Sequence, residues 1–299
     1  MLLVLRSKKK LSRKTQEFNY KLSRHLKNAG VNFSFASFED VELFMETNKI
    51  NLLIDGQPLT SWKTIYPRKV GTNRRLAFIM ATLCKINKLG FIDGFHKKSS
   101  ATAKIVQMFL FAQNGVPIPK TYHSANYSQK QIENAIAFLG FPVVVKQCNT
   151  SHGAGVHLAK TRAELKKIIA TLLKNKNKGD VFLQEFIPND FEYRIFVTGN
   201  KIGATEKKTR TDENEFRNNI FLGAKEEFLE ESAVKRSVIT TALKASRISN
   251  TQVSGVDIVE SNGRLVVFEV NSCPELTLDE KISPELKSLA KYLEKCEKK

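Results

Sequence analysis

The first hundred residues alternate between short apolar runs and amphipathic stretches. The segments "LLVLRS", "VNFSFASF" and "INLLIDG" are rich in apolar residues at strand length and predict β-strands. Apolar residues recur at helical spacing in "TQEFNYKLSRHLKNAG", "EDVELFMETNK" and "RRLAFIMATLCKINKLG", which predict helices between and after these strands. This alternation is typical of a small parallel sheet with helices on its faces.

The rest of the chain predicts a more mixed arrangement. A helix is expected from Ser100 to Gln113, and the amphipathic end of the chain predicts a closing helix. The segment "EESAVKRSVITTALKASRI" predicts another helix, and the charged segment "TRTDENEFRNNIFLGAKEE" predicts a loop. The predicted strands are, in chain order, "FPVVVKQ", "VHLAK", "VFLQEFI", "YRIFVTG", "KIGATEKK", "SGVDIVES" and "RLVVFEVNS".

Composition narrows the class of protein. At 299 residues the chain is long enough for two or three domains. It has 48 Lys and Arg against 30 Asp and Glu, a net charge of +18 that attracts nucleotides, acidic proteins or nucleic acid. No apolar run has the length of a membrane span, and the four cysteines have no paired spacing. We therefore expect a cytoplasmic protein without a disulfide framework.

Polar residues interrupt the last two apolar strands. Glu269 and Asn271 are two positions apart, so they point to the same face of one strand. If Asn262 and Gly263 form a hairpin turn, Asp257 lies on the neighbouring strand and reaches that face. Two carboxylates and an amide oxygen suit Mg²⁺ that carries nucleotide phosphates. A solvated strand face with chance carboxylates would give the same pattern.

A lysine and a glycine loop form a second candidate site. Lys146 ends an apolar strand, and Gly153 and Gly155 follow it in the loop "SHGAG". The lysine would offer a point charge to a phosphate, and the glycines would expose backbone N–H groups to it. Lys104, at the start of an apolar helix, is a further candidate for the same anion. An ordinary glycine turn beside a lysine that reaches solvent explains this pattern too.

Two more segments place polar residues where they could meet a nucleotide. In "VFLQEFIP", Gln184 and Glu185 interrupt an extended run whose backbone could read an adenine edge, although a plain edge strand has the same pattern. In "EFRNN", Arg217 precedes Asn218 and Asn219, and arginine binds phosphoryl groups through two parallel hydrogen bonds. A surface loop is the alternative for this second segment.

Taken in order, these motifs resemble a known family. The lysine strand, the glycine loop, "QEFI", "EYR", "FRNN", "GVD" and "EVNS" are together similar to the ATP-grasp superfamily. The match is closest to its RimK-type branch of ribosomal-protein glutamate ligase-like carboxylate–amine ligases, and it is close from Phe91 to Leu276 and looser before. The resemblance implies an α/β (α+β) ATP-grasp fold with a small N-terminal parallel-sheet domain. The implied domains are 1–97 as the pre-ATP-grasp domain, 98–180 as the small lobe with the phosphate-covering hairpin, and 181–299 as the C-terminal lobe with the metal site.

The resemblance also implies a role for each motif residue. Lys104 and Lys146 would contact the ATP phosphates under the glycine flap, and Glu192 would hold the ribose hydroxyls. Arg217 and Asn219 match the family's R-x-N at the transferring phosphate. The implied ATP-binding residues are Lys104, Lys146, Ser151, His152, Gly153, Gly155, Gln184, Glu192 and, around the adenine, Glu185, Phe186 and Ile187; the implied catalytic residues are Arg217, Asn219 and Lys208, and the implied metal ligands are Asp257, Glu269 and Asn271.

The implied activity is ATP-dependent joining of a carboxylate to an amine. A carboxylate would attack the γ-phosphate to give an acyl phosphate and ADP, and an amine would then displace phosphate to give an amide. The implied cofactors are ATP and two Mg²⁺ ions, with Mn²⁺ as an alternative. The implied partners are an amino acid and a carboxylate-bearing acceptor, for which the basic charge favours an acidic protein, peptide or carrier.

Two other functions remain open from the sequence. One is a non-catalytic, ATP-grasp-shaped module that binds nucleotide or RNA, and the other is a ligase for a small peptide-like metabolite. Nucleic acid is the less favoured partner, membrane association is not expected, and a homo-oligomer is left open. Cys273 and Glu275 stand where the family often has serine and glycine, so the resemblance does not extend to glutamate as the added amino acid.

Overall fold

The computed structural model describes residues 1–7, 11–46, 49–71, 73–94, 104–124, 127–147, 155–174, 181–212, 215–218 and 223–298. Within these ranges the α-helices are α1 (Arg13–Asn28), α2 (Arg74–Ile86), α3 (Lys104–Gln113), α4 (Gln129–Leu139), α5 (Arg162–Leu173), α6 (Arg236–Ile248) and α7 (Glu285–Lys298). The strands are β1 (Leu2–Arg6), β2 (Phe33–Ser37), β3 (Val41–Glu46), β4 (Lys49–Ile54), β5 (Gln57–Pro58), β6 (Thr64–Pro67), β7 (Gly90–Phe91), β8 (Thr121–Tyr122), β9 (Val143–Gln147), β10 (Val156–Ala159), β11 (Val181–Glu185), β12 (Phe191–Thr198), β13 (Lys201–Thr209), β14 (Lys225–Leu229), β15 (Val253–Ser261) and β16 (Arg264–Asn271).

The N-terminal sheet is parallel and covered on both faces. Its order is β2-β1-β6-β7, and each neighbouring pair runs in the same direction. Every residue of β1 is buried, as is typical of an inner strand between two layers of helix. Leu2 and Val4 pack in the core under α1, whereas Leu3 and Leu5 pack in the core under α2. The predicted α/β class with a small N-terminal parallel sheet is confirmed.

The helix predicted over "EDVELFMETNK" is wrong. Phe38–Asp40 form a short 3-10 turn, and β3 then pairs antiparallel with β4 in a small sheet completed by β5. Exposure alternates along the start of β3, because Glu42 and Phe44 are exposed while Val41 and Leu43 are partly buried. A period of two is that of a strand with one covered face, and here it describes the segment better than the helical period does.

A second sheet follows, with antiparallel neighbours in the order β10-β9-β11-β8. The helices α4 and α5 cover one of its faces, where Leu165 packs with Val143 and Val145. Because side chains alternate along a strand, Val144 and Lys146 point to the other face. The candidate phosphate-binding lysine is thereby turned away from this small core.

The third sheet is the largest, with five antiparallel strands in the order β14-β13-β12-β15-β16. On one face, Phe111 of α3 and Ala242 of α6 pack with Val256 of the central strands. The turn between β15 and β16 is the predicted hairpin, since Asn262 and Gly263 have φ of +49° and +74°. Between this turn and the candidate metal ligands the register shifts at Asp257 and Ile258, and this shift places Asp257 opposite Glu269.

The other face of the third sheet shares a core with the N-terminal sheet. Phe196 and Val253 pack in one cluster with Leu2, Leu22 of α1 and Leu289 of α7. The last helix therefore returns to the first, and the N-terminal sheet is bound to the C-terminal lobe by a continuous apolar interior. None of the helices in the ranges given above is long and apolar enough to cross a membrane.

One strand lies where the sequence predicted a loop, and the predicted domain boundaries remain predictions. Lys225–Leu229, at the end of a predicted loop, is the edge strand β14, whose charged residues hide the strand pattern. α3 packs on the third sheet while the next element, β8, joins the second. The division of the chain at residues 98 and 181 stays a prediction.

Substitution of Leu22 tests the shared core. Leu22 is fully buried, so Leu22→Ala is expected to lower the free energy of unfolding by about 3 kcal/mol through lost burial and an unfilled cavity. Tyr20 lies on the same helix with 70% of its surface exposed, so Tyr20→Ala should change that free energy by less than about 0.5 kcal/mol. Denaturant titration measures both, and equal midpoints for the two variants would contradict this packing.

Candidate active site

The predicted metal ligands lie together on adjacent strands. Asp257 of β15 is directly opposite Glu269 of β16, and Gly255 is opposite Asn271. Asp257 is only 5% exposed, so the alternative of a solvated face does not describe it. Among the described residues, no group of three or more His, Cys, Asp and Glu side chains is placed to hold a metal ion. The third residue of the predicted set is Asn271, whose side-chain oxygen accepts a hydrogen bond from the Cys273 N–H at 3.0 Å.

Two basic side chains hold the Asp257 carboxylate in place. Arg194 donates to both carboxylate oxygens, each at 2.8 Å, from the facing position on β12. Lys208 of β13 lies 3.2 Å from one of these oxygens and 3.1 Å from Glu192. Burial alone would raise the pKa of Asp257, but the charges of Arg194 and Lys208 hold it well below its usual range. Asp257 is therefore an ionised, oriented carboxylate.

The pKa of Glu192 shifts in the opposite direction from that of Asp257 in the same environment. It faces Lys208 across the β12–β13 pair and shares the lysine with Asp257. Burial raises the pKa of Glu192 to about 7, although the positive charge of Lys208 opposes the shift. Lys208, Glu192, Arg194, Asp257 and Glu269 form a line of charged groups across four adjacent strands, which we call the charged row. Two cations and three carboxylates make up the row, so most of its charge is compensated within the sheet, although Asp257 and Glu269 are neighbouring like charges.

Lys104 and Lys146 reach one end of the charged row from two different elements. The Lys104 ammonium lies 2.9 Å from a Glu269 oxygen, and its charge lowers the pKa of that carboxyl. Gln107, one turn further along α3, exchanges two hydrogen bonds of 2.8 and 2.9 Å with the backbone of Val270. These bonds fasten the start of α3 to β16 and so position Lys104.

Lys146 lies over an aromatic ring beside the same carboxylate. Its ammonium is 5.3 Å from the centre of the Phe268 ring, which is within the range of a cation–π contact. Burial and the charge of Lys104 lower the pKa of Lys146 to about 8. Two lysines from different elements thus converge near Glu269, where an anionic ligand would relieve their mutual repulsion.

The "QEFI" connector borders this region and contains both polar and apolar residues. Gln184 is buried and donates to the Thr121 hydroxyl at 2.9 Å, whereas the Glu185 carboxylate accepts the Lys120 N–H and pairs with Arg264, each at 2.7 Å. These two polar side chains are therefore engaged in holding the connector. Its apolar residues face a different set of neighbours.

Those apolar residues could accept a flat ring. Ile187 is buried in a small cluster against which Phe268 packs, and the Phe186 ring lies 6.4 Å from that of Phe216. The Phe186 N–H already donates to the Pro142 carbonyl at 3.3 Å. A base next to Lys146 would therefore be contacted mainly by side chains. One of these side chains is that of Phe268, a residue that the sequence did not single out.

Arg217 lies beside β10, the second strand of the predicted hairpin. It makes two bonds of 2.7 Å to the Glu215 carboxylate and one of 3.4 Å to the backbone carbonyl of Val156 in β10. Gly155, where the glycine loop ends, is buried, and its carbonyl accepts the Gln147 N–H at 2.9 Å. The other predicted residues of these two loops lie outside the described residues: Ser151, His152, Gly153 and Asn219.

Arg194 is the functional candidate that sequence reasoning did not identify. It was visible only as the last letter of "EYR", two positions after Glu192 and therefore on the same strand face. A basic residue at that period inside a buried strand is a usable signal, because it requires a carboxylate on the neighbouring strand. Phe268 carried no such signal, since an aromatic residue in a strand is ordinary.

A family model for the RimK-like ATP-grasp domain matches residues 101–288. The chain belongs to this family. "Probable alpha-L-glutamate ligase 1" of Hahella chejuensis is 31% identical to it over 241 residues, 78% of this chain and 75% of the relative. "Probable alpha-L-glutamate ligase" of Vibrio atlanticus is 30% identical over 248 residues, 79% of this chain and 76% of the relative. The family member described here is thus an ATP-dependent ligase, as its sequence predicted.

Solved structures share the fold over almost the whole chain. The ATP-grasp ligase PsnB complexed with minimal precursor has a TM-score of 0.69 at 16% identity, and the match covers 98% of both chains. D-alanine--D-alanine ligase from Bacillus anthracis complexed with ATP has a TM-score of 0.69 at 15% identity, covering 99% of this chain and 96% of the other. At these identities the likeness shows the ATP-grasp fold alone, which confirms the predicted fold.

The two acidic residues of the candidate metal site should differ in their effect on stability. Asp257→Asn leaves Arg194 and Lys208 without their shared anion, and it is expected to lower the free energy of unfolding by about 3 kcal/mol. Glu269→Gln removes a partner only from Lys104 at a partly exposed position, and the expected loss is below about 1 kcal/mol. Urea denaturation of both variants measures the difference, and equal losses would refute this account of the charged row.

Proposed function

We propose that this ligase joins a carboxylate to an amine through an acyl phosphate and ADP. The observation that carries the proposal is the pairing of Asp257 with Glu269 at the end of the charged row, where Lys104 and Lys146 converge. Phosphoryl transfer needs oriented oxygen ligands and positive charge around a polyphosphate, and little else from the protein. Both are present in this corner of the third sheet.

Lys104 and Lys146 would bind the ATP phosphates, while Phe186, Ile187 and Phe268 would enclose the adenine. The donors of the candidate metal site are all hard oxygens, and Glu269 already accepts a cation, the Lys104 ammonium, at 2.9 Å. These features fit Mg²⁺, which Asp257, Glu269 and Asn271 would hold as two ions. Bound Mg²⁺ would supply charge neutralisation for the phosphoryl group that moves.

The proposed reaction has two balanced steps. A carboxylate oxygen forms a bond to the γ-phosphorus as the bridging bond to the β-phosphate breaks, which releases ADP. The amine nitrogen then forms a bond to the acyl carbon, the bond from that carbon to the phosphate oxygen breaks and inorganic phosphate leaves, and the attacking nitrogen gives up a proton, so that an amide results. Arg217 and Asn219 would stabilise charge on the transferring group, and Lys208 would orient Asp257 and Glu192 through its two ion pairs.

An acidic protein, peptide or carrier is the proposed acceptor class. The net charge of +18 favours a negatively charged partner over a neutral metabolite. PsnB, which shares the fold, is complexed with a peptide precursor in its structure. A non-catalytic nucleotide-binding module is not favoured, because simple binding does not require a buried, oriented carboxylate beside the two converging lysines.

Product formation tests the proposed reaction directly. Incubation with ATP, Mg²⁺, candidate acids including acidic peptides, and hydroxylamine should give ADP and an acyl hydroxamate, because hydroxylamine captures an acyl phosphate. ATP alone should give little ADP. Glu269→Gln should reduce hydroxamate formation at least about a hundredfold, whereas Glu260→Gln, at a partly exposed position on the neighbouring strand where Glu260 pairs with Lys235, serves as the matched control. ADP release without any hydroxamate from the wild-type protein would defeat the acyl-phosphate proposal.

The pKa of Lys146 predicts a pH dependence of ATP binding. Its pKa is lowered to about 8, so the charged form that attracts phosphate is present below pH 8 and is lost as the pH rises through that value. We expect the Kd for ATP with Mg²⁺ to weaken by up to about tenfold between pH 7 and pH 9. Lys146→Arg stays charged over this range and should flatten the profile, and the exposed Lys167→Arg is the control. Calorimetric titration measures the Kd, and a flat wild-type profile would contradict the assignment of Lys146.

A further inference from the structure

A second group of buried polar residues lies where the N-terminal sheet meets the C-terminal lobe. Arg6 is the last residue of β1, and Arg68 directly follows β6 on the adjacent parallel strand. The Arg68 N–H donates to the Leu5 carbonyl at 2.9 Å, so the two arginines emerge side by side. Crevices at the carboxyl ends of parallel strands are the usual place for ligands in open α/β sheets.

Arg6 and Arg68 are buried together, and their hydrogen-bond partners include no carboxylate in the described ranges, although the charges of Glu285 and Asp93 act on Arg68. They are 4% and 5% exposed, and their guanidinium carbons lie 4.7 and 5.2 Å from the centre of one ring, that of Phe18. Neither forms a salt bridge with any residue in the described part of the chain. Burial and the charge of Arg68 lower the pKa of Arg6 to about 10. Two buried like charges of this kind are costly unless a carboxylate or another anion joins them.

The existing bonds of these arginines do not supply that anion. Arg68 donates to the Cys273 sulfur and to the Pro274 carbonyl, each at 2.6 Å, and Arg6 donates to the Asn19 side chain. All of these partners are formally neutral. The Nε–H group of each arginine is buried and has no hydrogen-bond partner within the described ranges.

Most of the unpartnered polar atoms of the protein's interior lie in this same region. In the described residues, seven buried side-chain polar atoms lack a hydrogen-bond partner, and five of them belong to Arg6, Tyr66, Arg68, Glu206 and Glu285. Such atoms are rare in native interiors, and a cluster of them indicates a site whose partner is a ligand. The donors come from the N-terminal sheet, and the two carboxylates come from the C-terminal lobe.

The two carboxylates interact with the charged row, and Glu285 also interacts with Arg68. Glu206 is opposite Arg194 in the β12–β13 pair, and Arg194 binds Asp257. Glu285 begins α7, and its charge, after those of Cys273 and Tyr66, offsets the effect of burial on the pKa of Arg68. Glu285 is thus the carboxylate whose charge interacts both with Arg68 and with Arg194 of the charged row.

We propose that Arg6, Arg68 and Tyr66 bind the carboxylate of a free α-amino acid, while Glu206 and Glu285 accept hydrogen bonds from its ammonium group. The proposal rests on the proposed ligase function, because it names the site of the amine substrate. The polarity of the site orients that substrate, with its amino end toward Asp257 and its carboxylate end away. The carboxylate held by the arginines is the one that does not react, and guanidinium groups suit it because they bind carboxylates bidentately.

Turnover with two amines tests this site. Hydroxylamine has no carboxylate, so the ratio of amino-acid-supported to hydroxylamine-supported ADP formation isolates recognition by the arginines. A mixture of the twenty common L-amino acids serves as the probe, with the acid that gives hydroxamate. Arg6→Gln is expected to lower this ratio at least tenfold through a higher KM for the amino acid. The exposed Arg13→Gln removes the same charge and should keep the wild-type ratio.

A binding measurement makes the test independent of turnover. The same amino-acid mixture, with ADP and Mg²⁺ present, should raise the Tm of the wild-type protein and of Arg13→Gln, and should raise that of Arg6→Gln by less than a third as much. If the wild-type protein forms no hydroxamate, the proposed function fails while this measurement still decides the binding site. No rise in the wild-type Tm, an equal rise in Arg6→Gln, or an unchanged turnover ratio would each overturn the proposal.

Tyr66→Phe is a second test variant, which keeps the proposal testable if Arg6→Gln fails to fold. It removes only a hydroxyl that has no hydrogen-bond partner in the described structure, so the folded state is expected to persist. If that hydroxyl binds the amino-acid carboxylate, the KM for the amino acid should rise about threefold to tenfold. A KM equal to that of the wild-type protein would remove Tyr66 from the site.

Discussion

The candidate active site depends on one buried carboxylate and the two cations that hold it. An ionised Asp257 in the middle of a sheet is tolerable only because Arg194 and Lys208 meet it from the adjacent strand and the strand beyond. Their positions require β12, β13 and β15 to keep their register, since a slip of one residue would turn each side chain to the opposite face. Site geometry and sheet pairing are therefore specified by the same contacts.

The N-terminal sheet contributes to the site through its edge and to the fold through its faces. Its side chains share an apolar interior with α7 and the third sheet, which brings the carboxyl ends of β1 and β6 against the lobe that carries the charged row. The energetic cost of burying two arginines at such a junction is offset if a ligand provides a carboxylate that pairs with them. The amino acid proposed above would lie at this junction and supply the carboxylate that these arginines lack.

The sequence predicted the parts of the site that follow from local rules. Strand periodicity and the Asn262-Gly263 turn were enough to predict that Asp257 and Glu269 lie on adjacent strands. An unbroken ladder from that turn would pair Asp257 with Phe268, and a register shift between Asp257 and Ile258, which the sequence did not reveal, brings Asp257 opposite Glu269 instead. The partnership of Arg194 with Asp257 was not accessible, because the two residues are 63 positions apart and the pairing of β12 with β15 has no local signature. Neither was the gathering of Arg6 and Arg68 with glutamates from the opposite end of the chain.

The misassigned elements have a common cause. In β3, apolar residues also fit a helical spacing, and only its pairing with β4 selects the strand. In β14, charged residues suit an edge strand and conceal it from any hydrophobic pattern. Local composition was ambiguous in both segments, and tertiary contacts decided the outcome.

The bridge made by Glu185 has a mechanical consequence. Its carboxylate ties the end of β11 both to Lys120, at the start of the second sheet, and to Arg264, at the start of β16. Any swing of the second sheet relative to the third must therefore pivot about this corner. β10 lies at the opposite edge of the second sheet, on the longest lever arm, so a small rotation at the pivot becomes a large displacement of β10.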